Sequence, residues 1–239
     1  MPVTVVKLPV PGFAQRVGFY CGPACAQMVL AFKGASHTQD DLWAAITSKT
    51  NATRPPAAPP TLGHFPNQQC YHCGVWHCWQ TLPEPLAETM NALLSSTVSF
   101  IARYPPTIDE TTLALIDSLD APISTPPFAT LYAINHWVVI TGYLAGDESI
   151  PGFPPRPVGK VALNAVYLNN PNVLADADAI TVLSTRDFRQ RLGLISCGDH
   201  LDRYPIVVAT NWFGWLRAIW WSLWWRLIVR VRSVSDATR

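Results

Sequence analysis

Gln15-Arg16-Val17-Gly18-Phe19-Tyr20-Cys21-Gly22-Pro23-Ala24-Cys25 is the stretch on which the fold turns. From Cys21 to Phe32 the apolar positions Cys21, Ala24, Cys25, Met28, Val29 and Phe32 recur at intervals of three and four, which predicts a helix. Pro23 falls in its first turn, where a missing amide costs nothing, and Gly34 lies just past its end. The helix therefore opens on a cysteine. Unpaired amides and the helix dipole at that position favour a thiolate, the nucleophilic form. This reading expects a depressed pKa for Cys21. Cys25, one turn later, is expected in the core as packing. Gln15 lies six residues before Cys21. Acyl transfer requires donors aimed at a developing oxyanion, and a glutamine NH2 with the cysteine's own backbone amide supplies two.

A nucleophilic cysteine needs a base, and the base needs a group that fixes its tautomer. Of six histidines, His136 alone opens a clean β-branched run, His136-Trp137-Val138-Val139-Ile140-Thr141, ending at Gly142. A second strand is expected from Val161 to Leu168, stopped by Asn169-Asn170-Pro171. If these strands pair, an asparagine at the end of the second meets a histidine at the start of the first.

The remaining elements set the class. Helices are expected at Asp40 to about Lys49, Pro83–Leu94, Thr111–Leu119 and Thr185–Leu192, and strands at Ser99–Ala102 and Pro205–Thr210. Residues 1–20 read as an extended lead-in, 51–69 as a proline-rich loop, and Gly152–Pro157 as a turn-rich connector. Helices come first and strands later, an α+β order without βαβ alternation. No internal repeat and no phosphate-binding glycine loop is visible.

In order and spacing these elements resemble the papain-like cysteine peptidases, above all the branch of bacteriocin-processing, double-glycine leader peptidases and their stand-alone relatives. That branch carries a glutamine six before a Cys-Gly pair, then a histidine leading an aliphatic strand into Gly-Tyr, then Asp-Pro after the next strand. The counterparts here are Gln15, Cys21-Gly22-Pro23-Ala24-Cys25, His136 through Tyr143, and Asn170-Pro171, with Thr185-Arg186-Asp187-Phe188 resembling the short helix that follows. The resemblance spans residues 3–210. It implies a papain-like α+β fold: a helical lobe packed on a twisted antiparallel sheet, with a cleft between. It implies Cys21 as nucleophile, His136 as base and then acid, Asn170 as orienter and Gln15 as oxyanion donor. The implied reaction is hydrolysis of a peptide bond in a peptide or protein through a thioester, without cofactor or metal. Asn170 replaces that branch's aspartate, so the orienter is neutral, as in papain. Two other classes remain open. One is a silent papain-like domain that binds a peptide or partner. The other is another acyl enzyme of the superfamily, such as an amidase or transglutaminase. No transporter segment is visible.

Composition narrows the alternatives. The chain has 239 residues, 49% hydrophobic, enough for one domain with a sizeable core. Charged residues are 14%, against about 25% in an average soluble protein, and the net charge is +1. That excludes the many-phosphate contacts of non-specific nucleic-acid binding. Six cysteines are too few for a disulfide scaffold. The patch Cys70-Tyr71-His72-Cys73-Gly74-Val75-Trp76-His77-Cys78-Trp79 holds one C-x2-C. Cys78 with His64, His72 or His77 would complete a zinc site, but the spacing is irregular, and a disulfide or free thiols beside the cleft is the preferred reading. Trp76 and Trp79 either line a substrate groove or pack that loop.

Residues 1–210 are expected to form the catalytic domain and 211–239 a tail. Six of the ten tryptophans fall between Trp212 and Trp225. Apolar groups there cover almost the whole helical circumference, interrupted by Arg217 and Arg226 and followed by Arg230 and Arg232. The expected role of residues 212–232 is docking on a membrane surface or a partner protein. The alternatives are a helix folded back on its own domain, self-pairing, and a span in which both arginines snorkel. No ordinary secretory signal is visible at the N-terminus, so the expected address is cytoplasmic with peripheral membrane contact.

Overall fold

The computed structural model describes residues 3–49, 68–69, 76–77, 81–94, 98–121, 124–131, 136–148, 150–152, 155–158, 161–194 and 202–211. The proline-rich stretch 51–67, the cysteine patch apart from the backbone of Trp76–His77, and the tryptophan-rich tail lie outside them.

The chain runs β1 (Thr4–Lys7), α1 (Cys21–Phe32), α2 (Gln39–Thr47), the two-residue pair β2 (Gln68–Gln69) and β3 (Trp76–His77), and α3 (Pro83–Leu93). It continues through β4 (Val98–Arg103), α4 (Ile108–Asp120), β5 (Phe128–Leu131), β6 (His136–Ala145), β7 (Arg156–Val158), β8 (Val161–Asn169), a 3-10 turn (Asp176–Ala179), β9 (Ile180–Ser184), α5 (Thr185–Arg191) and β10 (Ile206–Asn211). This is the expected α+β papain-like fold.

Helix α1 is apolar on nearly every side, with Ala24, Cys25, Met28, Val29 and Leu30 fully buried, so it is the central helix of the domain. It stops where Gly34 adopts φ +83°. The Gly34 amide donates to Ala31 O and the Ala35 amide to Leu30 O, the paired bonds of a Schellman stop. Three other helices start on hydroxyl caps. Thr38, Thr107 and Ser184 accept from the backbone amides of Asp41, Glu110 and Asp187.

The main sheet is antiparallel throughout and ordered β4-β10-β5-β6-β8-β7. One edge of β6 is shared: β5 covers its first half (Leu131 opposite His136) and β1 its second (Lys7 opposite Gly142). The outer edge of β8 is likewise divided between β7 and β9. At Gly142 the lead-in strand comes so close that a β-carbon would lie 2.1 Å from Val6 O, so no larger residue fits. The predicted strands at 136 and 161 do pair, Val139 opposite Asn169. Antiparallel pairing sets the start of β6 beside the end of β8, which is the step the site needs.

Side chains alternate across the sheet with a period of two. Trp137, Val139 and Val207 enter a core with α1, α2 and α3. Val138, Ile140, Ile206 and Val208 enter a second core with α4 and α5. Helix α4 thus departs from the expected lobe: it lies with α5 on the far face, and the sheet is covered on both sides. In the main sheet two strands have no counterpart in the sequence reading, β5 and β9, and β7 occupies the end of the expected connector; the short pair β2 and β3 has none either.

Candidate active site

Cys21 is the first residue of α1 and only 5% exposed. The residue capping the helix, Tyr20, makes no side-chain cap bond, so the backbone amides of the first turn are free to serve the thiol. The amides of Trp137, Gly22 and Cys21 itself act on the sulfur and draw its pKa down, but burial is the larger effect and raises it above the ordinary thiol value. This corrects the expected depression: the helix-terminus effect is present and is outweighed by desolvation. Cys25 is raised much further, by complete burial and then by the neighbouring Cys21. Both are free thiols, and Cys21 is the more readily ionised of the two.

The Trp137 amide at the Cys21 sulfur places the head of α1 against the head of β6, where His136 is the first residue. His136 is 8% exposed. Its Nε2 lies 2.6 Å from Asn170 Oδ1. The Asn172 amide donates to the same Oδ1 at 3.0 Å. A backbone N–H can only donate, so that atom is the amide oxygen, and Nε2 must carry the proton it offers. The neutral imidazole therefore has Nδ1 as its basic nitrogen. Burial lowers the His136 pKa, and the Asn170 bond partly restores it.

The two asparagines divide their work. Asn169 is buried and its Nδ2 donates to Val10 O and Pro11 O at 3.1 Å each, tying down the lead-in. Asn170 reaches His136, and its own amide is anchored on Ala179 O at 2.7 Å. Gln15 joins the same loop through its backbone, donating to Pro171 O at 2.7 Å. Its side-chain Oε1 is buried without a hydrogen-bond partner among the described residues. Gln15, His136 and Asn170-Pro171 thus converge from three segments, and Cys21 meets them through Trp137.

Thr81 is a neighbour the sequence did not single out. A β-carbon on Gly22 would lie 2.5 Å from Thr81 Oγ1, and the Trp137 indole donates to Thr81 O at 3.0 Å. Glycine after the cysteine is thus demanded by close packing of residue 81 on the first turn. Nothing in the sequence joins positions 22, 81 and 137. Asn172 was equally hidden, because it acts through a backbone amide that almost any residue supplies. Among the described residues no group of three or more His, Cys, Asp or Glu is placed to hold a metal ion. No helix among them is long and apolar enough to cross a membrane.

A cysteine at the head of a buried central helix, facing a sheet whose first long strand opens on an asparagine-bound histidine, is the layout of the papain-like cysteine peptidases. Residues 7–195 match the Peptidase_C39 like family, and the chain belongs to that family. Several solved structures are similar to this chain. One is a double glycine motif protease from an AMS/PCAT transporter, in complex with the leader peptide (11% identity, covering 86% of this chain and 94% of that one, TM-score 0.44). Another is the peptidase domain of Streptococcus ComA, a bifunctional ABC transporter of a quorum-sensing pathway (12%, 84% and 98%, TM-score 0.45). A third is a C39-like peptidase from Bacillus anthracis (16%, 86% and 97%, TM-score 0.46). No curated protein matches the chain.

Proposed function

We propose that this chain is a cysteine peptidase that hydrolyses a peptide bond through a thioester acyl-enzyme. The observation that carries the reading is the His136–Asn170 bond, with its oxygen identified by the Asn172 amide. It leaves one basic nitrogen on a rigid strand terminus next to the segment that carries the thiol.

The steps follow from the groups present. Nδ1 of His136 takes the Cys21 proton as the sulfur attacks the substrate carbonyl. The Cys21 backbone amide and the Gln15 side-chain amide receive the developing oxyanion. The imidazolium then returns its proton to the leaving amine, and the acyl group stays on sulfur as a thioester. Water attacks that thioester, Nδ1 takes its proton, and the acid is released with the thiol restored. Asn170 is neutral, so it holds the tautomer while contributing less to imidazolium stability than a carboxylate would.

A second reading, a silent peptide-binding domain, is favoured by the deep burial of Cys21 and its raised pKa. Incubation with an epoxide-type cysteine-peptidase inactivator, with mass mapping of the adduct, separates the two. A single adduct on Cys21, lost in His136→Ala, together with cleavage of a fluorogenic peptide-amide library that Cys21→Ala abolishes, supports the peptidase. Equal modification of all cysteines, or hydrolysis retained by Cys21→Ala, refutes it.

A further inference from the structure

The segment carrying Gln15 is short, lies outside any helix or strand, and must hold a side-chain amide to within a fraction of an ångström if that amide is to serve an oxyanion. The structure shows what holds it. Gln39 is the first residue of α2 and only 3% exposed. Its Nε2 donates to Ala14 O at 2.8 Å, and its Oε1 accepts from the Arg16 amide at 2.8 Å. One buried side chain thus grips the peptide groups on both sides of Gln15.

The orientation of this clamp is unambiguous. A carbonyl oxygen can only accept and a backbone amide can only donate, so Ala14 and Arg16 together fix which end of the Gln39 amide is nitrogen. Nε2 also donates to Gln27 Oε1 at 3.1 Å, and Gln27 Nε2 donates in turn to His37 O at 3.0 Å. Gln27 stands on α1, the helix that begins at Cys21. The relay therefore references the Gln15 segment to the same rigid helix that carries the thiol. Asp176 adds an exposed support, its Oδ1 accepting from the Ala14 amide at 2.7 Å. The Arg16–Asp40 ion pair at 2.7 Å is solvent-exposed on both sides and contributes little.

We propose that Gln39 is a positioning residue for the reaction, acting through Gln15 by clamping its flanking peptide groups. This rests on the assignment of Gln15 as oxyanion donor made above.

Two small probes of one sulfur test it without a known substrate. Acetylation of Cys21 by p-nitrophenyl acetate forms an S–acetyl bond through a tetrahedral oxyanion, expels p-nitrophenolate and passes the thiol proton to His136. Alkylation by iodoacetamide displaces iodide at the same sulfur and forms no oxyanion. Both rates are read at the Cys21 peptide by mass mapping. The ratio of acetylation to alkylation is expected to fall about 10–100-fold in Gln15→Ala. In Gln39→Met it should fall about 3–10-fold, with alkylation unchanged. The double variant should match Gln15→Ala, because the clamp has nothing left to position. Asp176→Ala, a surface change, should lower the ratio about twofold and supplies the test if Gln39→Met does not fold. Parallel loss of both rates in Gln39→Met, a further fall in the double variant, or an unchanged ratio in Asp176→Ala when Gln39→Met is unfolded overturns the proposal. An unchanged ratio in Gln15→Ala instead removes the oxyanion assignment beneath it.

Discussion

The resting state of the proposed Cys21–His136 pair is the sharpest consequence of the burial. Ordinary thiol and imidazole pKa values, about 8.5 and 6.5, favour the neutral pair over thiolate and imidazolium by about 100-fold, or about 2.7 kcal/mol. Burial widens this gap from both sides, raising Cys21 and lowering His136. Were the two charges about 4 Å apart, their attraction would return about 4 kcal/mol with an effective dielectric constant of about 20. Desolvation costs several kcal/mol for each ion, and both residues are more than nine-tenths buried by exposed area, so the neutral pair wins. The perturbation is pH, and the assay is the rate of iodoacetamide alkylation at the Cys21 peptide between pH 5 and 10. For a neutral pair less than about 3% of the sulfur is thiolate at pH 7, and the rate climbs about tenfold per unit toward alkaline pH. The acid limb of peptide hydrolysis then belongs to His136, whose protonation removes the base, and lies below pH 6.5. Because the Asn170 bond raises that pKa, Asn170→Ala should move the limb to still lower pH. An alkylation rate that is flat from pH 5 to 8 would show a preformed ion pair and refute the reasoning.

Three more outcomes are expected. Asn170→Ala strands a buried imidazole N–H, at a cost of about 1–3 kcal/mol, and should lower kcat about 5–150-fold, less than the 10²–10⁴-fold loss expected for His136→Ala; Asn170→Asp should retain turnover, whereas Asn169→Ala should lower the Tm by releasing Val10 and Pro11, with little effect on kcat. Gly22→Ala would ordinarily stabilise a helix by up to about 1 kcal/mol, but here its methyl meets Thr81 at 2.5–2.8 Å, so urea unfolding should show a loss of about 1–3 kcal/mol, and an unchanged midpoint would mean that residue 81 yields freely. For the tryptophan-rich tail, truncation after Asn211 keeps the last strand, whose pairing ends with Asn211 opposite Val98; if residues 212–232 dock on a membrane, as the sequence leads one to expect, the full chain should bind anionic liposomes and the shortened chain should stay folded without binding them, whereas aggregation or a lost cooperative thermal transition on truncation would refute that expectation.

What the sequence discloses about this protein follows from where each signal is local. Helix α1 was legible to the residue, Cys21 to Phe32, because its limits are set by Pro23 in the first turn and Gly34 after the last. His136 was legible because β6 starts on it, and Asn170 because Asn-Asn-Pro ends β8 abruptly. Strand β5 was not: its four residues are buried on both faces and lack alternation, directly after Pro126-Pro127. Strand β9 is an edge whose Ile180 and Val182 face outward while Leu183 alone enters the core, so its run lacks the alternation with apolar residues inward that marks a half-buried strand. The side of the sheet taken by α4 is decided by the crossing of its connections, which periodicity does not encode.

The same distinction explains the one chemical expectation that reversed. A helix terminus is a local feature, and its pull on the Cys21 thiol is present in the structure. Burial is not local. It comes from α1 packing against β6, and beside it Thr81 lies against Gly22 while receiving the Trp137 indole N–H, across 56 positions of chain. Gln39 and Asp176 were hidden for a related reason. Gln39 holds Ala14 and Arg16, and Asp176 holds Ala14, by one backbone hydrogen bond per contact, and such a bond can be made by many residues from many places. Groups that touch the reacting atoms must be of particular types at chain positions where elements begin or end, and so they leave a pattern. Groups that only hold those atoms in place need only arrive at the right point in space, and that point exists once the sheet and α1 have assembled.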